Sequence, residues 1–332
     1  MPDRSRLLSG FGTWSDQRAE RTLGALASTV LLLILGMLVF VFAKAWPSFA
    51  HNGLAWFGAG GNVDVQLGAI FKSPANPQHY VYTMHAWPLL YATALTTLAA
   101  VILGVVIAVL SAMFIVEFAP PPMRAMLYPV VRLLAAVPSV VYGLIGILVL
   151  VPFVGNHLTT AHEKASVAYV VQLTGASLLV AVVILTVMIT PIMIAIITDA
   201  LRAVPSSWSE GALALGVNRF RVMRTIVVRA ARPAIVAALV LATARALGEA
   251  IMLSMVSGSV AFGPNPLDGV IFFLEPLRPL AATIVDNAEG LSVAPFAQTI
   301  YAFAAVLLVS SVALSIGGWA AKRPLRRFAV SV

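Results

Sequence analysis

The stretch "LGALASTVLLLILGMLVFVFAKAW", residues 23–46, carries no charge before Lys44. A helix rises about 1.5 Å per residue, so roughly 20 apolar residues cross the hydrocarbon of a bilayer. Five further stretches reach that length, at about 88–116, 127–153, 167–198, 233–257 and 296–320. A helix satisfies its own backbone in lipid, so the pattern predicts an all-α polytopic membrane protein with six spans.

Composition agrees. Hydrophobic types make up 60% of the 332 residues and charged types 10%, whereas a soluble domain is roughly a quarter charged. The chain lacks the polar residues to coat a soluble surface of its size. It has no cysteine, which excludes disulfides, thiolate metal sites and cysteine nucleophiles. The five histidines, His51, His79, His85, His157 and His162, show no metal-ligand spacing. The first 22 residues are polar and charged, unlike a signal peptide.

The formal charge of +8 does not point to nucleic acid, because the basic residues fall where membrane topology needs them. With the N-terminus inside, the inner segments hold Arg4, Arg6, Arg18, Arg21, Arg124, Arg202, Arg219, Arg221, Arg224, Arg229, Arg232, Lys322, Arg323, Arg326 and Arg327. The outer segments hold Lys44, Lys72, Lys164 and Arg278, and two more, Arg132 and Arg245, fall within expected spans. Both termini are therefore expected in the cytoplasm, with residues 1–22 and 321–332 flanking a transmembrane unit over 23–320. The outer segments at about 47–87 and 258–295 are long enough to dock a partner or cap a cavity, or else serve as connectors.

Residues 199–232, "DALRAVPSSWSEGALALGVNRFRVMRTIVVRAAR", form the most informative inner segment. Ser207 and Glu210 have the S-x-x-E spacing of a capping box that starts a helix after Pro205. Gly216 suits a turn. Beyond it Val217, Phe220, Met223 and Val227 are expected on one helical face, with Arg219, Arg221 and Arg224 making the rest basic. Pattern alone leaves two readings open: a helix pair resting on anionic lipid, or a protruding helix gripped by a cytoplasmic partner.

"EGALALG", Glu210 to Gly216, resembles the E-A-A-x-x-x-G loop of permease subunits of ABC importers. Glu210, Ala212 and Gly216 match; Gly211 departs from the first alanine, and the proline of the family's later I-x-L-P is missing after Ile226. "LLAAVPSVVYGLIG" (133–146) and "RALGEAIMLSMVSG" (245–258) resemble signatures of the phosphate-specific branch, the PstC type more than the PstA type. The likeness runs from about residue 20 to the C-terminus. It implies a type I importer permease in a bacterial plasma membrane. Its implied partners are a PstA-like permease, two PstB-like ATPases inside and a periplasmic or lipid-anchored phosphate-binding protein outside. The loop at about 207–215 would be the helix coupled to the ATPase, using Ser207, Glu210, Ala212 and Gly216. The chain has no G-x-x-x-x-G-K-[ST], so any ATP belongs to a partner, and no catalytic residue or cofactor is assigned to this chain.

A charge at the bilayer centre costs roughly 2.5–3.5 kcal/mol and marks a bundle interior or a watery path. Arg245 and Glu249 are four apart and are expected to share one helical face, beside the small residues Ala242, Ala246 and Gly248. Two roles fit: a structural ion pair, or an arginine that meets translocating phosphate while Glu249 tempers its grip. Arg132, expected in the third span, is a further pathway candidate or a snorkelling cation. Pro138 and Pro191 are expected to kink spans three and four, and Ser139 and Thr190 to back-bond to their own helices. The functional rivals are a permease for sulfate or molybdate, an ion-coupled secondary transporter, and a non-transporting membrane scaffold.

Overall fold

The computed structural model describes residues 5–74 and 76–325; Arg4, Arg326 and Arg327 lie outside them. Among the described residues the chain is helical, with one isolated backbone bridge between Gly258 and Leu277. Five helical stretches are long and apolar enough to cross a membrane: Arg18–Phe57, Trp87–Phe118, Ser139–Leu158, Leu178–Arg202 and Ala294–Arg323. A bent pair, Arg219–Ala230 and Arg232–Leu247, meets at 69° and supplies the sixth.

The first helix, α1 (Ser5–Asn52), leads into a short 3-10 turn, α2 (Val63–Phe71) and then α3 (Trp87–Met113), which widens into a π turn at Phe114–Phe118. Pro120 stops that helix, and Pro121 and Pro122 open α4 (Pro121–Ala135). Pro138 then ends α4, because it offers no N–H and holds Val137 away from helical geometry. The chain restarts as α5 (Ser139–Ile145), runs through π turns flanking α6 (Val151–Phe153), and turns at α7 (Ala161–Val167).

Two expected boundaries are thereby corrected. The third span begins at Ser139 rather than near 127, so Arg132 belongs to α4 and not to a span. The fourth begins at Leu178 rather than near 167, where Ser177 caps α8 (Leu178–Arg202). Residues 168–177 form an irregular strap that is exposed at 168–170 and buried at 175–177. Gly175 makes that strap possible: its φ is +99°, and a Cβ there would lie 2.1 Å from the Val151 carbonyl oxygen. Pro191 does not interrupt α8, which is continuous through it. Thr190 donates to the Thr186 carbonyl at 2.6 Å, the expected back-bond.

Helix α8 is the axle. In its most apolar window 72% of residues are buried, against 6% for α1. Helices α3, α4 and α12 (Arg232–Leu247) pack along α8 and share its core, while α1 pairs with α16 (Ala294–Leu325) at the periphery. Between α8 and α12 come α9 (Ser206–Ala214), α10 (Arg219–Val222), a π turn and α11 (Val228–Ala230). After α12 come α13 (Ile251–Val256), α14 (Ile271–Leu274) and α15 (Leu280–Asp286).

The two long segments meet at the end opposite α9. Buried Arg278 pairs with Asp64 and donates to the Ser259 carbonyl at 3.3 Å. Asn52 holds the Tyr82 carbonyl at 2.6 Å and accepts from the Met84 amide at 2.9 Å. These bonds make the long loops a folded cap rather than loose connectors.

Two outcomes follow. Gly175→Ala forces a β-carbon onto backbone atoms and a positive φ onto alanine, and the φ strain alone costs about 1–3 kcal/mol. The yield of detergent-stable protein in size-exclusion profiles is expected to collapse. Burial pushes the Glu275 carboxyl above the ordinary range, against the pull of the Asn265 amide 3.3 Å away. The fold therefore favours the protonated acid, and that contribution is present at acid pH and lost as pH rises through the carboxylate range. Glu275→Gln is expected to raise the melting temperature near neutral pH by roughly 2–4 °C, an advantage that vanishes at about pH 4.

Candidate functional site

The fifth span is broken where its charges lie. Helix α12 ends at Leu247, and the chain leaves helical geometry at Glu249 and Ala250 before α13 begins. Glu249 is 9% exposed, and its Oε1 accepts from the Met252 amide at 3.3 Å, one of the orphan donors that a new helix presents. The expectation that Arg245 and Glu249 share one helical face is corrected: the helix stops between them. Among the described residues no ion pair joins them.

Arg245 stands on the open face of α12, with Leu241 and Gly248 also exposed. The adjoining face, Ala238, Ala242 and Ala246, is buried to 1% or less. Small side chains at that spacing let α12 lie close to α8. Packing therefore fixes the rotation of α12 and leaves Arg245 exposed at the edge of the buried face.

A second break faces the first. Across the Pro138 junction the Tyr142 hydroxyl donates to the Leu134 carbonyl at 2.9 Å, joining the Val137 amide, which donates to the same oxygen at 3.3 Å. Behind Tyr142, Gly143 and Gly146 form a seat for α13. A Cβ would lie 2.8 Å from Met255 Sδ at the first and 2.5 Å from Val256 Cγ1 at the second.

Arg132 lies elsewhere, at the α9 end of α8. Tyr128 donates its hydroxyl to Asp199 Oδ1, Arg132 donates to the Tyr128 oxygen, and Arg132 lies 3.2 Å from Asp199 Oδ2. The Arg132 and Arg202 guanidinium carbons sit 4.4 and 4.3 Å from the Tyr128 ring centre. The hydrogen bond to Asp199 raises the Tyr128 phenol above its ordinary value. Arg132 and Asp199 side chains are 57% and 51% exposed, so the cluster adds little stability. Its effect is geometric: it fastens α4 to the last turns of α8 at Asp199, six positions before Pro205 opens α9.

Helix α9 projects from the body, with Ser207, Glu210, Leu213 and Leu215 exposed and Ala212 partly buried. Its N-cap is Pro205 with no side-chain cap, so the expected Ser207–Glu210 capping box does not form; helical geometry already includes Ser206. Gly216 takes φ +79° and turns the chain, and Asn218 caps α10 by accepting from the Phe220 amide at 2.7 Å. The basic helix is split by the π turn Met223–Val227, which rotates the buried face. Val222, Met223 and Val227 are buried, while Phe220, expected with them, is 51% exposed.

Tyr128, Tyr142 and Asp199 were not legible as functional. Tyr128 and Arg132 have i, i+4 spacing, but their partner Asp199 is 67 positions beyond Arg132 and is brought in only by α4–α8 packing.

Residues 104–324 match the family described as "Binding-protein-dependent transport system inner membrane component". The Mycobacterium tuberculosis phosphate transport system permease protein PstC 1 is 32% identical over 284 residues, 82% of each chain. The Bacillus subtilis probable ABC transporter permease protein YqgH is 31% identical over 252 residues, 76% of this chain and 74% of that one. A chain of a bacterial alginate ABC transporter, crystallised with its pentasaccharide-bound periplasmic protein, superposes with a TM-score of 0.53. It is 15% identical and is covered to 97%, with 94% of this chain aligned, a likeness of fold.

The role of Glu249 in the break is open to test. Glu249→Gln keeps an acceptor for the Met252 amide and is expected to leave the melting temperature in detergent within a degree or so. Glu249→Ala orphans that amide and is expected to cost about 1–3 kcal/mol. Equal melting of the two variants would show that the carboxylate does not hold the break.

Proposed function

This chain belongs to the family of binding-protein-dependent transport system inner membrane components, and from that membership we propose that it is the PstC-type permease subunit of an ATP-driven importer of inorganic phosphate. Its relatives include phosphate transport system permeases from bacteria and an archaeon. The observation that carries the substrate is Arg245, an arginine on the open face of a spanning helix, one turn before a break in that helix. A guanidinium offers planar paired donors that match phosphate oxygens. One arginine, with the nearest carboxylate turned inward to Met252, holds an anion without trapping it.

The distribution of Lys and Arg supports cytoplasmic termini and a cytoplasmic α9. The partners are a PstA-like permease completing the path, two PstB-like ATPases gripping α9 through Glu210, Ala212 and the Gly216 turn, and a phosphate-binding protein on the opposite cap. ATP is bound and hydrolysed by the ATPases; this chain carries motion, not bond cleavage.

A physical route exists for that motion. Helix α9 hangs from α8 at Pro205; Asp199 of α8 holds Tyr128 and Arg132 of α4; in the last turn of α4 the Leu134 carbonyl holds Tyr142 of α5, the helix that seats α13 after the break at Gly248–Ala250. Arg132 thus serves the route from the coupling helix rather than the path of the anion.

In proteoliposomes holding the assembled complex, Arg245→Gln is expected to cut uptake of radiolabelled phosphate at least about tenfold, the loss of one charge-assisted hydrogen bond, with the ATPases still bound. Excess unlabelled phosphate is expected to compete, and sulfate and molybdate are not. Uptake at the wild-type rate in the variant rules out Arg245 as a phosphate contact. Competition by sulfate or molybdate but not by phosphate rules out the substrate.

A further inference from the structure

A cavity of about 490 Å³ opens between α9 and the body, walled by the ends of α3 and α8, by α4 and by α10. Three guanidiniums from three different elements line it, Arg124, Arg202 and Arg219, with one carboxylate, Glu117, and two hydroxyls of α9, Ser206 and Ser209. The site therefore has a surplus of two positive charges. Arg124 spends Nη2 on the Ala119 carbonyl at 3.3 Å, but its Nε is buried and has no partner. Arg202 is occupied by the Tyr128 ring on one face. A buried donor without an acceptor, inside a wall of like charges, is unfavourable unless an anion joins it.

We infer that this cavity is a binding site for a phosphoryl oxyanion, separate from the transport path. Guanidiniums converging from several directions, with serine hydroxyls between them, match a tetrahedral anion better than a planar one. The volume exceeds that of a single small anion, and apolar side chains line the remainder, so the site also accommodates the headgroup of an anionic phospholipid. The occupant touches α9 on one side and the α3 and α8 ends on the other. It fixes how far α9 stands from the body, which is the distance that transmission from an ATPase has to work through.

The test needs no transport and so does not depend on the phosphate-import reading. Native mass spectra of the detergent-solubilised full chain are compared with added phosphatidylglycerol, phosphatidylcholine or inorganic phosphate. The wild type is expected to retain one phosphatidylglycerol, or one phosphate, at least about tenfold more than the Arg124→Gln/Arg219→Gln variant. Retention of phosphatidylglycerol over phosphatidylcholine assigns the site to a lipid headgroup; retention of phosphate alone assigns it to the free anion. Arg124→Lys/Arg219→Lys is expected to keep most of the binding. If the Gln pair does not fold, Ser209→Glu places a carboxylate in the wall from exposed α9 and is expected to abolish retention as well. Equal retention of every probe by wild type and Ser209→Glu overturns the proposal, as does no retention by the wild type.

Discussion

In hydrocarbon a backbone N–H or C=O has no water to turn to, and each spanning segment has to satisfy its own. This chain interrupts its helices at Ala136–Pro138, just before a span, and at Gly248–Ala250, and a side chain bonds to the backbone at each place. Tyr142 donates to the Leu134 carbonyl beside the first, and Glu249 accepts from the Met252 amide at the second. The two breaks lie against each other because Gly143 and Gly146 admit α13 to van der Waals distance. Two interruptions thus lie close together, while α8 stays continuous and carries the packing.

The arrangement separates two kinds of polar contact. Those at the breaks are buried or partly buried and hold the local backbone in place. The cluster of Tyr128, Arg132, Asp199 and Arg202 is exposed and contributes little to stability, yet it is the polar tie between α4 and the end of α8 that bears α9. An exposed tie can change partners during a cycle at small cost, whereas a buried one cannot.

Much of this was legible in the chain. Long apolar runs marked the spans, and Gly216 marked the turn after α9, because both signals are local. The errors share a cause. Apart from Arg132 the run from 127 to 153 is free of charge, which puts that arginine inside an expected span, and only Pro138 shows that two helices share the run. Arg245 and Glu249 were paired by counting four residues, a count that holds only while the helix continues. The Ser207–Glu210 box was read from spacing, but Pro205 already sets the start of α9. Asp199 and Tyr128 gave no signal, since their meeting depends on two helices packing 71 positions apart.

The contrast between α8 and α1 has a consequence for how such chains diverge. Lipid accepts any apolar side chain of adequate length, so α1 is constrained by oiliness and reach and tolerates exchanges among Leu, Ile, Val and Phe. A residue in α8 is enclosed by α3, α4 and α12, where one methylene more or less is felt. Sequence drift is therefore expected to run fastest at the rim of this permease and slowest along its axle, with the record of ancestry kept in the helix that touches the most others.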